Sequence, residues 1–200
     1  ISYFGSMFTY VALPFQVKEL TGSYLAVGLI GLVEIIPLVI FGLYGGVLAD
    51  HMDRKRMIWV TEAAALFLSA ILLINSLLPS PKLALIYIIA ALFAAVDGLQ
   101  RPSADAILPR LVEHKDLPAA SALMSLRWQV GMVTGPALAG VLISIAGVSA
   151  GFILDILTYL LALFILLKVK SVPPMKESEK PSFSSLVAGV KYATSRKDLM

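Results

Sequence analysis

The sequence predicts an all-α membrane protein in which six transmembrane helices bundle side by side. Three observations carry that prediction. Hydrophobic residues make up 58% of the 200 positions and charged residues 14%, against about a quarter charged in a soluble domain. The mean hydropathy is +0.88, and a water-soluble chain of this length has too little polar surface to cover so much apolar side chain. The apolar residues also fall in continuous runs of roughly 20, the length that crosses a hydrocarbon core as helix, and not in the alternation of a β-barrel.

Taken in order, helix 1 covers about Ile1 to Val17. Its start is apolar, with no basic leader, so it reads as the second part of a helix and not as a signal peptide, and the chain reads as a fragment of a longer protein. After the turn-like Thr21, Gly22 and Ser23, helix 2 runs from about Tyr24 to Ala49. Helix 3 runs from about Met57 to Leu78 and stops at Pro79, Ser80 and Pro81. Helix 4 spans about Leu83 to Ala106, helix 5 about Ala119 to Ile145, and helix 6 about Ser149 to Leu167. Residues 1–170 therefore form the bundle. The polar stretch 171–180, with its paired prolines, reads as a linker. Beyond it Phe183, Leu186, Val187 and Val190 stand at i, i+3, i+4 and i+7. That spacing predicts an amphipathic helix on the cytoplasmic membrane surface.

Loop charge sets the orientation. Thirteen of the 16 lysines and arginines lie in the 2–3 loop, around the 4–5 connection or after helix 6. Lys18 and Lys82 lie on the opposite side, and Arg127 lies inside helix 5. Positive residues stay in the cytoplasm, so those loops and the tail face inward, in a multi-pass protein of the bacterial cytoplasmic membrane. The net charge of +3 is spread over helix ends, not gathered on one face, which argues against a nucleic-acid partner. Cysteine is absent and both histidines sit in charged loops, so no metal site, disulfide or cofactor is expected. No nucleophile–base pair or phosphate cradle appears, which argues against an enzyme.

The charged knot between helices 2 and 3 is too ordered for a mere stop signal. Gly45 and Gly46 permit a neighbouring helix to come close. Asp50 follows Gly46 by one helical turn, with Asp53, Arg54, Lys55 and Arg56 beyond. If helix continued that far, Asp50 and Arg54 would stand one turn apart. The stretch resembles the loop 2–3 signature of the major facilitator superfamily, G-x-x-x-D-(R/K)-x-(G/D)-R-(K/R), with His51 where a basic residue is usual. The resemblance implies that Asp50, with Arg54 and Lys55 beside it, belongs to a latch that helps hold the outward-facing state.

Helix 5 carries Gly131, Gly135, Pro136 and Gly140. The spacing G-x-x-x-G-P-A-x-x-G is similar to the antiporter motif of the same superfamily, which is associated with exporters. Leu108–Val112, Leu117–Ala120 and the Phe152–Asp155 opening of helix 6 extend the likeness to the enterobactin-exporter and macrolide-efflux branch. That resemblance implies the N-terminal six-helix half of a twelve-helix fold, built of two inverted three-helix repeats. Residues 171–200 would then lead to a C-terminal half of the same chain. It also implies proton-coupled efflux of a hydrophobic drug or siderophore by alternating access. The rival readings are a small-solute importer of the same superfamily and a membrane sensor or scaffold without transport.

An ionisable side chain in a bilayer costs about 2.5–3.5 kcal/mol on insertion scales and so asks for a reason. Glu34, ahead of Pro37 in helix 2, is the first candidate for a proton carrier, because desolvation favours its neutral acid form. A helix–helix hydrogen bond is the competing role. Asp97 and Arg101 stand one turn apart in helix 4 and read as a local ion pair, or as contacts to the Asp50 loop, with substrate chemistry as the alternative. Arg127 can pair with Asp97 or Glu34, or attract an anionic substrate. Asp155 is expected to be shallow, reached by water from the outer surface or capping a neighbour, with a role in coupling as the alternative. Glu62 is expected to snorkel to the cytoplasmic interface.

Overall fold

The computed structural model describes residues 1–169 and 171–173, and at Asp50, Arg110 and Leu111 the backbone alone. α1 (Ser2–Thr21) ends where Gly22 turns left-handed at φ 66°, a conformation glycine adopts without Cβ strain. α2 (Tyr24–His51) starts on Ser23, whose hydroxyl accepts the Ala26 amide at 3.3 Å. α3 (Arg54–Ser76) starts on Asp53, and α4 (Leu83–Leu111) carries Pro102 and Pro109 inside it. A single 3-10 turn, His114–Asp116, leads into α5 (Leu117–Ala146). Gly147, at φ 79°, divides α5 from α6 (Val148–Lys168).

Two boundaries differ from the sequence expectation for local reasons. α3 begins at Arg54, not Met57, because the Asp53 carboxylate accepts the Arg56 amide at 3.0 Å and so satisfies a free N–H of the first turn. The basic run is thus the first turn of a helix. α4 continues past Ala106 to Leu111, since a proline removes one amide donor without removing the rest of the ladder. The amphipathic helix expected around 183–190, and the linker from 174 onward, lie outside the described residues.

Among the described residues, five helices are long and apolar enough to cross a membrane: Tyr24–Ala49, Arg54–Ser76, Leu83–Pro109, the stretch His114–Ala146, and Val148–Lys168. α1 is interrupted by Ser2, Ser6, Thr9, Gln16, Lys18 and Glu19. Leu32, Ile36, Val39 and Val133 stay exposed on α2 and α5, as expected where the solvent is lipid or another apolar partner.

The packing has an internal symmetry. α1 lies against α5 and α6, α4 lies against α2 and α3, and α3 lies against α6. Exchanging α1, α2 and α3 for α4, α5 and α6 returns the same set of pairs. Because α1 and α4 run in opposite directions, this is an inverted three-helix repeat. Leu72, Ile86, Ile89, Val17 and Phe152 fill the shared core.

The closest crossing joins α2 to α4. A Cβ on Gly45 would lie 2.8 Å from the Gly98 carbonyl oxygen, and one on Gly98 would lie 2.8 Å from the Gly42 nitrogen. Only hydrogen fits on either side. The close approach expected of both loop glycines therefore falls to Gly45 alone; a Cβ on Gly46 would meet open space.

Candidate functional site

One group of side chains gathers on the open face formed by α1, α2, α4 and α5. Asp97 and Arg101 form their one-turn ion pair on α4, at 2.7 Å. The Arg101 guanidinium lies 5.9 Å from the Trp128 ring centre. Tyr3 of α1 stacks on Trp128 of α5 with ring centres 4.2 Å apart. Arg127 lies 5.9 Å from the Tyr3 ring centre. Glu34 of α2 stands within electrostatic reach of Asp97. Four helices thus contribute two guanidiniums, two carboxylates and two large aromatic rings to one surface. Trp128 also borders an open groove of about 490 Å³ between α4 and α5, lined by Asp105, Leu108, Ser121, Met124, Ser125 and Gln129.

This arrangement decides several sequence alternatives. Arg127 forms no ion pair with Asp97 or Glu34 among the described residues; it faces Tyr3 and is exposed. Glu34 likewise takes no helix–helix hydrogen bond from a described residue. Its register, one turn before Leu38 and three turns before Gly45, puts it on the face of α2 that meets α4 at the Gly45–Gly98 crossing. Tyr3 and Trp128 carry the aromatic part of the surface, and nothing in their spacing distinguished them from ordinary core or lipid-facing aromatics.

The helix 5 motif has a clear packing role. A Cβ on Gly131 would come within 2.6 Å of the Tyr3 ring, and one on Gly135 within 2.6 Å of the Met7 Cβ. The G-x-x-x-G face is the bed for α1, and it seats Tyr3 against Trp128. Pro136 follows inside the helix. Gly140 meets nothing within 4 Å.

At the C-terminal end of α2 the helix stops at His51, and Met52 is extended at φ −103° and ψ 155°. The continuous helix that would set Asp50 and Arg54 one turn apart is therefore broken. Arg54 is buried, and its guanidinium donates to the Ala106 carbonyl of α4 and to the Ala49 carbonyl at 3.5 Å. Asp53 accepts from Ser171, and the Arg54 amide donates to the Val172 carbonyl at 3.1 Å. Loop 2–3 thus clasps both α4 and the segment after α6. Partial burial pushes the Asp53 carboxyl up, but donation by Ser171 and by the Arg56, Lys55 and Val172 amides outweighs it. The group sits below the ordinary carboxylate range. Arg56 is exposed, while Lys55 is half-buried.

Two acids are placed differently from expectation. Glu62 does not snorkel: it is 5% exposed and accepts from Ser2 Oγ at 2.8 Å and Gln100 Nε2 at 2.7 Å. It lies on the face of α3 that packs inward, so its short side chain has no route to the interface. Asp155 lies two turns into α6 as expected, but it is fully enclosed, accepting from Thr9 and Ser69. Its distance along α6 was legible. Its direction, toward α1 and α3 and away from lipid, was not.

The whole chain, residues 1–200, matches the family model described as "Transmembrane secretion effector". It is 30% identical over 182 residues to the enterobactin exporter EntS of Shigella dysenteriae serotype 1, covering 91% of this chain and 44% of that protein. It is 30% identical over 185 residues to the namesake of Citrobacter koseri, again covering 44% of the relative. The corresponding protein of Escherichia coli O1:K1 is 29% identical over 182 residues. The chain thus spans less than half the length of the curated relatives it matches. With its inverted helix repeat, its glycine-bedded fifth helix and this match along its full length, the chain belongs to the transmembrane secretion effector family of the major facilitator superfamily, as a six-helix N-terminal half seated in the cytoplasmic membrane.

Proposed function

We propose that this chain is half of a secondary exporter that moves a siderophore or a hydrophobic drug out of the cell in exchange for protons. The observation that carries the reading is the charged, aromatic face formed by Tyr3, Glu34, Asp97, Arg101, Arg127 and Trp128. Side chains of these types are costly in a bilayer and are kept where they face a cavity. In this reading a C-terminal half of the same chain closes the cavity, and the two halves rock about it. The match to proteins named enterobactin exporters favours export over import, and a siderophore over other cargo. Arg127, which has no acidic partner among the described residues, favours an anionic cargo.

Glu34 is the proton carrier in this reading. It lies on the α4 side of α2, its carboxylate takes no hydrogen bond from a described residue, and Asp97 lies near enough to disfavour a second negative charge. Loop 2–3 is the gate: Asp53 and Arg54 hold α4 and the segment after α6 in one state and release them in the other, and Asp50, Lys55 and Arg56 belong to the same gating motif. The test is transport by the full-length protein in vesicles under an imposed pH gradient, with enterobactin and a hydrophobic dye as alternative cargoes. Glu34→Gln should abolish the gradient dependence while cargo counterflow persists. Gradient-proportional movement by Glu34→Gln vesicles would remove Glu34 from the mechanism.

A further inference from the structure

A second polar assembly lies away from the cavity, in the seam where α1, α3 and α6 meet. Ser2, Ser6 and Thr9 stand one turn apart along α1 and form its polar face. Ser6 Oγ and the Tyr159 hydroxyl share a hydrogen bond of 2.9 Å. At the inner end of the seam, Thr9 Oγ1 donates to Asp155 Oδ2 at 2.5 Å, and Ser69 Oγ donates to the same oxygen at 2.7 Å. Asp155 and Ser69 are 0% exposed and Thr9 is 5% exposed. Gly5 lets the helices approach: a Cβ there would fall 1.7 Å from the Thr158 hydroxyl of α6.

The chemistry of Asp155 is unusual for a structural acid. Both hydroxyls converge on one oxygen, and Oδ1 is buried without a protein partner. The charged group that faces it is Glu62 of α3, itself an acid. The other titratable neighbour is Tyr159, on its own helix. The ionisable groups of α1 and α5 do not compensate it: Lys18 and Glu19 lie at the far end of α1, and Arg127 faces Tyr3. A carboxylate anion here would have one bare oxygen in an apolar interior and no cation beside it. A neutral carboxylic acid fits, since it can donate to one hydroxyl and accept from the other.

We propose that Asp155 is a proton-binding site of this half, occupied while α1, α3 and α6 are packed together. When the seam parts, the proton passes to the water that enters, and it returns from that water when the seam closes. The site deepens the proton-coupled reading above by adding a proton store outside the cavity. Its occupancy is measurable without transport.

The test is infrared difference spectroscopy of the full-length protein in membranes. At neutral pH, where an aqueous aspartate is fully ionised, the protein should show a protonated-carboxyl carbonyl band that Asp155→Asn removes. Ser69→Ala deletes a single hydroxyl and tests the site even if Asp155→Asn fails to fold; it should shift the band, because one partner of the acid is lost. A spectrum without such a band, a band retained in Asp155→Asn, or one unmoved by Ser69→Ala would each overturn the proposal. Loss of the band result leaves the Glu34 reading standing, and loss of the Glu34 result leaves the band, so the two failures are distinguishable.

Discussion

At the scale of single residues, Asp53 shows how one acid can serve two jobs. Its carboxylate caps α3 through the Arg56 amide and holds the segment after α6 through Ser171. Asp53→Ala should cost about 1 kcal/mol, the usual worth of an N-cap. The pH dependence follows from the depressed folded value. A carboxyl held below its unfolded value stabilises the fold at all pH above the unfolded value and loses that contribution as pH falls through the folded one. The deficit of Asp53→Ala should therefore be full at neutral pH and shrink below about pH 4, read as thermal unfolding in detergent across a pH series. A deficit that is flat down to strong acid would mean that the cap acts without its charge.

At the scale of helices, backbone proximity is the organising feature. The α2–α4 crossing has glycine on both sides, at Gly45 and Gly98, with Gly42 and Leu38 backbone atoms completing the contact. Gly98→Ala would place a methyl group against main chain that cannot rotate away. Overpacking of this kind costs about 1–3 kcal/mol, so the variant should melt earlier and lose transport. Gly46→Ala is the matched control: its Cβ meets open space, and alanine favours helix over glycine by about 1 kcal/mol. It should leave stability unchanged or raise it. Equal losses in both variants would contradict the crossing. The same physics explains why Gly131 and Gly135 were legible as a helix-packing motif while Gly5, Gly42 and Gly98 were not. The first two repeat at the spacing of one helical turn. The others meet partners far away in sequence, and a lone glycine does not announce which helix will approach it.

At the scale of the whole molecule, orientation and symmetry are the testable properties. The chain has no cysteine, so single introduced thiols report topology cleanly. Cysteine placed at Arg56, an exposed position in the first turn of α3, should react with an impermeant maleimide only after the membrane is opened. Cysteine placed at Ser80, exposed in the 3–4 loop, should react in intact cells. The reverse pattern would invert the bundle and the direction of transport with it. The repeat also explains why the cavity face draws on α1, α2, α4 and α5: α1 is equivalent to α4, and α2 to α5. α3 and α6 form the remaining pair, on the side of the bundle that holds the Asp155 seam.

The amino-acid sequence by itself determined the apolar solvent, the helical class and the superfamily. Each of these depends on summed apolar length or a short local motif, and none requires knowing which helix touches which. The Asp97–Arg101 pair belongs to this class, because one helical turn sets its distance. Only the tertiary structure decided where the other charges point. Rotation of a helix about its axis by half a turn moves a side chain from lipid to core at no change in hydropathy. That freedom hid the burial of Asp155 and Glu62, the packing of Tyr3 against Trp128, and the clasp from Arg54 to the Ala106 carbonyl of α4.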